Sequence, residues 1–349
     1  MVMTRRGKMT TIVVVLATAL VVVGVLVATG KAPKVISDAV GNLTGSSPSP
    51  VATCPLTGEP APGGAVPTRP ALAIKVENLP EARPQYGLDG ADIIYEEPVE
   101  GGITRFIVIF HCGDADRVEP VRSARTTDPL VLEQLGTVAF GYADAAGYVQ
   151  NAVEKYARQI DDVNWQNVSD AYHNDPARSA PHDLYTSTAE LWKAAKKPFL
   201  APPQPLFSYG EMPGKSKRAK DVRLYFSDYS DVHWKWVGGK DQWARYHGTV
   251  KHTLDTGAQV MATNVVIQIV EVKNSDHLDP AGNPVPEVTL TGGGKAYLLR
   301  DGRMYSGKWT RDSEKDLTTF TTAGGQEFML APGNTWVELF PKDRGKPQL

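Results

Sequence analysis

The sequence predicts an α+β protein, with an N-terminal mixed α/β layered domain followed by a mostly β C-terminal domain. Two observations carry that expectation. Between residues 71 and 197, short apolar runs alternate with capped helical segments. After residue 220 helical periodicity disappears, and strand-like runs succeed one another to residue 341.

The elements follow in order. Residues 71–76, 91–95 and 103–110 are short runs rich in Ile, Val and Phe and read as strands. Asp128 before Pro129 reads as a helix start, a capping acid ahead of a proline at the first helical position, and Gly136 stops that helix. Residues 137–142 are strand-like. Within residues 147–160, Val149, Val153, Tyr156 and Ile160 fall at helical spacing. Ser187 with Glu190 forms a capping box that opens a helix running to Lys196. In the second half, residues 222–226, 232–237, 264–272, 295–300, 303–309 and 336–340 read as strands, and Asp301-Gly302 predicts a tight hairpin. Gly292-Gly293-Gly294 lacks the strand-to-helix context of a dinucleotide site and reads as a bulge or turn. Trp234, Trp236, Trp243, Trp309 and Trp336 are available to the β core; such clusters also bind sugars, packing being the commoner use.

Two composition breaks divide the chain. Residues 31–70 hold eight prolines and five glycines and read as a flexible spacer. Residues 198–220, with APPQP followed by GKSKRAK, read as a second linker between domains at 71–197 and 221–341.

The chain has 349 residues and a net charge of −2. Its first 30 residues hold Arg5, Arg6 and Lys8 and no acid, which leaves 34 basic against 39 acidic residues in the rest. That balance argues against a nucleic-acid partner, which calls for a basic face. Residues 11–28, TIVVVLATALVVVGVLVA, carry no charge and nearly match the ~20 residues of a membrane-spanning helix. With the three basic residues before it, the run predicts a cytoplasmic N-terminus, a single span in the cytoplasmic membrane and an extracytoplasmic remainder. A signal peptide cleaved at Ala28-Thr29-Gly30 is the alternative. No cysteine ends the run, so no lipid-attachment site stands there.

Cys54 and Cys112 are the two cysteines, and an extracytoplasmic compartment permits a disulfide between them. Cys112 as a nucleophile beside His111 is the alternative, although neighbours in a strand point to opposite faces.

Three stretches concentrate charge beside predicted strand or helix ends: YEEPVEGGITR (95–105), PVRSAR (120–125) and SAPHDLYT (179–186). Glu96, Glu100, Arg105, Arg122, Arg125 and His182 are the candidate ligand-binding residues. Planar guanidinium groups suit a carboxylate or phosphate. The bland alternative is that the acids of the first stretch neutralise the three arginines in a buried ionic network. In VEGGITRF, Gly101 and Gly102 allow a sharp turn that aims Glu100 and Arg105 into one polar site, with Arg105 expected to pair with Glu96, Glu97 or Glu100. His247 and His252 are five apart in a strand-and-turn context, which sends their rings to opposite faces and gives no metal pair. No nucleophile elbow, phosphate loop or EF-hand string occurs, so neither cofactor nor metal is expected.

These stretches carry a resemblance. KVENLPEARPQYGLDGADIIYEEPVEGGITRF, EPVRSAR and APHDLYTS, followed in order by NVVIQIVEV, GGGKAYLLRDGR and PGNTWVELF, resemble the YerB-like family of bacterial envelope proteins. The likeness covers about residues 70–341. It implies a two-part domain of unknown function anchored outside the cytoplasmic membrane, often as a lipoprotein; it implies no reaction. Three functions remain open. One is an envelope module that binds an anionic or sugar-containing wall component, or a membrane-protein partner. The second is a wall hydrolase or transferase with Glu96 or Glu100 as general acid/base and His182 assisting. The third is a structural scaffold with all its charges paired.

Overall fold

A computed structural model describes residues 51–156, 158–196 and 201–349. The predicted anchor at 11–28 and the spacer up to residue 50 lie outside the described residues. Among the described residues no helix is long and apolar enough to cross a membrane.

The strands in chain order are β1 (Ala71–Glu77), β2 (Ile93–Pro98), β3 (Thr104–Phe110), β4 (Val138–Gly141), β5 (Ile160–Asp162), β6 (Tyr172–Asn174) and β7 (Leu184–Thr186). There follow β8 (Ser208–Tyr209), β9 (Ser216–Arg218), β10 (Asp221–Ser227), β11 (Ser230–Val237), β12 (Gln242–His247), β13 (Val250–Lys251) and β14 (Met261–Ala262). The last are β15 (Asn264–Leu278), β16 (Pro284–Thr289), β17 (Gly292–Arg300), β18 (Arg303–Arg311), β19 (Thr319–Thr322), β20 (Met329–Leu330) and β21 (Thr335–Pro341). The helices are α1 (Thr127–Leu132), α2 (Gly147–Lys155) and α3 (Thr188–Ala194).

One large mixed sheet organises the described residues, in the order β19-β18-β17-β15-β21-β2-β3-β1-β4-β5. A smaller sheet, β10-β11-β12-β13 with β14 beside β12, supplies Leu224, Val232, Trp234 and Trp243 to one core with Phe106, Ile267 and Trp336 of the large sheet. A second core lies on the other side of the large sheet, where Ala73, Tyr95 and Ile107 pack with Val131 and Leu132 of α1 and Val149 and Val153 of α2. Successive strand residues face opposite sides, so β1, β2 and β3 contribute alternately to these two cores.

The seam between the sequence halves is the parallel pair β2 and β21. Ile93, Ile94, Tyr95 and Glu96 lie opposite Thr335, Trp336, Val337 and Glu338. The last strand of the chain thus stands between the N-terminal strands and β15. The boundary expected at 198–220 therefore does not separate two bodies: residues 52–349 form one compact unit. Nor is its described part a free linker. Leu206 and Phe207 are buried, β8 pairs with β20, and β9 pairs with β18. The proline-rich stretch is likewise folded from residue 51 onward, because Leu56 is fully buried and Cys54 is tied to the sheet.

Other local expectations shift for identifiable reasons. The helix expected over 147–160 stops at Lys155, because Ile160 pairs with Val138 as the start of β5; tertiary pairing overrides the local period. Asp128 lies inside α1 rather than at its cap, and its carboxylate accepts the Arg125 backbone N–H at 2.6 Å. The capping box holds, with Ser187 Oγ accepting the Glu190 N–H at 3.2 Å, and α3 ends at Ala194. Gly292–Gly294 run inside β17, not in a turn. The Asp301-Gly302 hairpin forms with both residues at positive φ, 53° and 67°, as a type I′ turn requires. Trp234, Trp243, Trp309 and Trp336 are buried in the cores, and packing is therefore their use.

Cys54 and Cys112 form a disulfide with Cα atoms 6.1 Å apart, which removes Cys112 as a nucleophile. The bridge ties the entry segment to the end of β3. The carboxylate of Asp92 gathers the N–H groups of His111, Cys112 (3.0 Å) and Gly113 (3.2 Å) at the same corner. Burial drives the Asp92 carboxyl up to about 6 despite these hydrogen bonds. The cysteines are 58 residues apart, so loop entropy gives the bridge about 4 kcal/mol. Cys54→Ser with Cys112→Ser is expected to lower the urea unfolding free energy by about that amount. A double variant as stable as the parent would show that the closed loop is already ordered without the bond.

Candidate functional site

The charge cluster is built from three neighbouring strands, β2, β3 and β1, and alternation divides it into two. Glu96 and Thr104 face the smaller sheet, whereas Lys75, Glu77, Glu97 and Arg105 face the helices. Adjacent Glu96 and Glu97 therefore serve opposite sides, although the sequence suggests one site.

On the first side stands a buried lock. Arg245 of β12 reaches across the core to Glu96, with Nη2 to Oε2 at 2.6 Å and both side chains fully buried. Thr104 Oγ1 donates to Glu96 Oε1 at 2.6 Å. The other Arg245 amino group donates to His252 Nδ1 at 2.9 Å, which leaves His252 Nε2 to donate to Gln85 Oε1 at 2.8 Å. Burial, then the Arg245 charge, holds the imidazole of His252 neutral, and His247 is lowered by the same two causes. The rings of His247 and His252 lie 4.5 Å apart rather than on opposite faces, because the chain folds back at Gly248 and His252, just after β13, bonds the Arg245 carbonyl of β12 at 3.0 Å. Among the described residues no cluster of His, Cys, Asp and Glu has the arrangement of a metal site.

Glu338, opposite Glu96 across the seam, completes the lock. Its Oε1 accepts the Trp234 indole N–H at 2.7 Å, and its Oε2 meets no donor. Burial, then the charge of Glu96, raises the Glu338 carboxyl well above the usual range, which favours its protonated form beside Glu96.

On the helix side, Lys75 Nζ is shared between Glu97 and Asp128 (2.6 Å to the latter), and all three side chains are fully buried. Burial, only partly offset by Lys75, pushes the Glu97 carboxyl up to about 7. Toward the strand ends lie the arginines. Arg122 Nε meets Glu77 Oε1 at 3.2 Å, and His182 Nδ1 meets Glu77 Oε2 at 2.7 Å. Arg125 Nη2 meets Glu100 Oε2 at 2.6 Å.

Arg105 is the exception. It lies between Glu77 of β1 and Glu97 of β2 in the strand register, yet both carboxylates are already engaged, by Arg122 with His182 and by Lys75. Its hydrogen bond is to the Ser123 carbonyl at 3.0 Å, while Nε is buried without a partner. Burial, then Arg125 and Arg122, lowers its affinity for the proton to a pKa of about 9. The expected pairing of Arg105 with Glu96, Glu97 or Glu100 is thus replaced. Glu96 takes Arg245, Glu97 takes Lys75 and Glu100 takes Arg125. Arg122 and Arg125 are nearby as expected.

The double glycine of VEGGITRF has a conformational reason. Gly101 and Gly102 adopt φ of 69° and 75°, which allows Val99 N–H to bond the Ile103 carbonyl at 2.9 Å and closes the β2–β3 turn. The turn places Glu100 against Arg125. Sequence reading missed Lys75, Glu77, Asp128, Arg245 and Glu338. Lys75 left a signal, a lone ammonium inside an apolar strand that demands an acid; Arg245 and Glu338 left none, because their partners are distant in the chain.

The lock distinguishes its two acids. Glu96→Gln leaves the Arg245 charge buried and unpaired and is expected to cost about 3–5 kcal/mol. Glu338→Gln replaces a neutral acid by a neutral amide and is expected to cost under about 1 kcal/mol. The raised Glu338 carboxyl keeps a proton that the unfolded chain releases, so parent stability falls as pH rises above its ordinary 4.5; the Gln variant escapes that fall. Urea midpoints at pH 5 and pH 8 should show Glu338→Gln gaining on the parent at the higher pH. Equal losses for both variants at both pH values would contradict the assignment.

Comparison with known proteins places this arrangement. "Putative lipoprotein YerB" of Bacillus subtilis (strain 168) is 26% identical over 295 residues, covering 82% of this chain and 86% of that protein. The crystal structure of YerB from Bacillus subtilis superposes with a TM-score of 0.72 at 25% identity, covering 85% of this chain and all of the other. Residues 56–200 match the N-terminal domain, and residues 222–337 the C-terminal domain, of the protein of unknown function DUF3048. The two matched regions part where the sequence composition breaks, while the sheet runs through both. This chain belongs to the DUF3048 family and carries both of its domains.

Proposed function

We propose that the folded unit is an extracytoplasmic binding module of the bacterial envelope, held at the membrane through residues 11–28. In this reading its ligand presents an anionic group, on a wall component or a membrane-protein partner, to Arg105, Arg122 and Arg125, with His182 at the edge. The observation that supports it is Arg105, a buried guanidinium with an unpartnered Nε beside two further arginines whose acids are already taken. A buried cation without an acid is costly, and a bound carboxylate or phosphate relieves that cost. The side chains of Arg122, Arg125 and His182 are 19%, 15% and 22% exposed, so a ligand would meet them first, with Arg105 behind them. YerB carries the name "Putative lipoprotein", which supports the envelope location. Here Cys54 is disulfide-bonded, so the proposed anchor is the apolar run and not a lipid.

A second reading, catalysis on the wall, is favoured by one observation. Glu77 holds His182 by Nδ1, the way a carboxylate orients a general base, and leaves Nε2 free of hydrogen bonds to the described residues. Glu96 is sealed in the lock and Glu100 is bound to Arg125, so His182 is the stronger acid/base candidate.

Arg105→Met separates a ligand site from a purely structural cluster. It removes an unpaired buried charge, so the melting temperature of the free protein should hold or rise. Soluble wall fragments or phosphate should raise the melting temperature of the parent by several degrees, as a ligand that binds only the folded state does, and leave the variant unmoved. Equal ligand-induced shifts in both proteins would refute the site. Release of new wall ends by the parent, abolished by His182→Ala, would favour the catalytic reading.

A further inference from the structure

Far from the arginines, the open end of the large sheet carries a second unexplained charge pattern. Lys295 of β17 lies directly opposite Lys308 of β18 in the antiparallel register, and both are exposed. Like charges opposite one another weaken a strand pair, and among the described residues neither lysine is ion-paired. Two residues along β17 on the same face is Tyr297, half-buried at the edge of the core. Cavities of about 600 and 440 Å³ adjoin at Lys295 and Tyr297. Lys342 and Lys346, from the segment after β21, border the larger one, and Lys308 borders the smaller. One acid, Glu271, lines either of them, and it is shared by Lys273 (3.7 Å) and Lys342 (3.9 Å).

The glycine run explains the shape of this trough. A Cβ on Gly294 would lie 2.6 Å from both the Trp309 indole nitrogen and the Ile269 carbonyl oxygen. Glycine there lets the indole lie flush under the strand and donate to that carbonyl at 2.8 Å. Gly293 adds no side chain either, so the floor beside Lys295 stays low and open.

We propose that this trough binds a linear polyanion, a polyol or sugar chain carrying phosphate groups at intervals. Four lysines spread along two adjoining recesses match charges spaced along a chain, and a bound phosphate relieves the Lys295–Lys308 repulsion. The Tyr297 ring offers an apolar surface to the carbon backbone between charges. A recess suits a chain laid into it, whereas a bilayer surface calls for a protruding face. The proposal does not depend on the arginine site.

The test uses the full chain in neutral detergent and a synthetic glycerol-phosphate decamer as the probe, with binding followed by titration calorimetry. The parent is expected to bind with an affinity that falls steeply as salt rises. Lys308→Glu should weaken binding by at least about tenfold, with no fall in melting temperature, since it sets opposite charges across the strands. Lys295→Gln, which removes a charge without adding one, should show the same loss and covers a reversal that disturbs the strand. Lys251→Gln, at an exposed lysine outside the trough, should bind the decamer as the parent does. Unchanged decamer affinity in both lysine variants would overturn the proposal. So would a parent that ignores the decamer and binds phosphatidylglycerol vesicles.

Discussion

A single buried ion pair, Arg245 with Glu96, sets the terms for the rest of the molecule. The guanidinium comes from the smaller sheet and the carboxylate from the middle of the large one, and no water-exposed surface screens either. Taking both charges out of water is tolerable because they face each other at 2.6 Å and each has further partners, although Arg245 Nε meets none. Arg245 also meets His252 and lies over the rings of Phe106 and Trp336, and Glu96 also holds Thr104. Glu338, protonated beside Glu96, fits only if β21 stands next to β2 in the observed register. A slip of one residue would turn Glu338 to the helix side and bring Val337 or Leu339 against Arg245. The lock thus ties the smaller sheet, the N-terminal strands and the last strand to one arrangement.

Strand alternation does the remaining work. Because Glu96 is committed to one side, Glu97 falls to the other, where Lys75 and Asp128 claim it. Glu77 is claimed in turn by Arg122 and His182, and Glu100 by Arg125. Each acid that could have neutralised Arg105 is engaged elsewhere, and Arg105 is left with a carbonyl. The fold thus pairs Arg245 with an acid on one side and leaves Arg105 without one on the other.

Much of this was legible in the sequence. The strands of both halves, the Asp301-Gly302 hairpin, the Ser187 capping box and the disulfide all rest on local chemistry, and local chemistry survives folding. The pairing of β2 with β21 was not legible, because the two strands are more than two hundred residues apart and neither pattern names a partner. That is why 198–220 reads as a linker: a Pro- and Lys-rich composition says nothing of two short strands that sheets elsewhere in the chain recruit. The residues of the charge cluster were legible, but their partners were not. Glu96 and Glu97 look like one acidic patch until alternation assigns them to different cores.

On the proposed reading, Glu96 neutralises the Arg245 charge within the fold and Arg105 is left to an external anion. Side-chain NMR of the arginine Nε–H groups tests it most directly, by titrating the folded chain with phosphate. The account predicts that the signals of Arg105, Arg122 and Arg125 move together along one saturable curve while Arg245 stays fixed. Saturable shifts confined to exposed arginines elsewhere, with Arg105 unmoved, would contradict it.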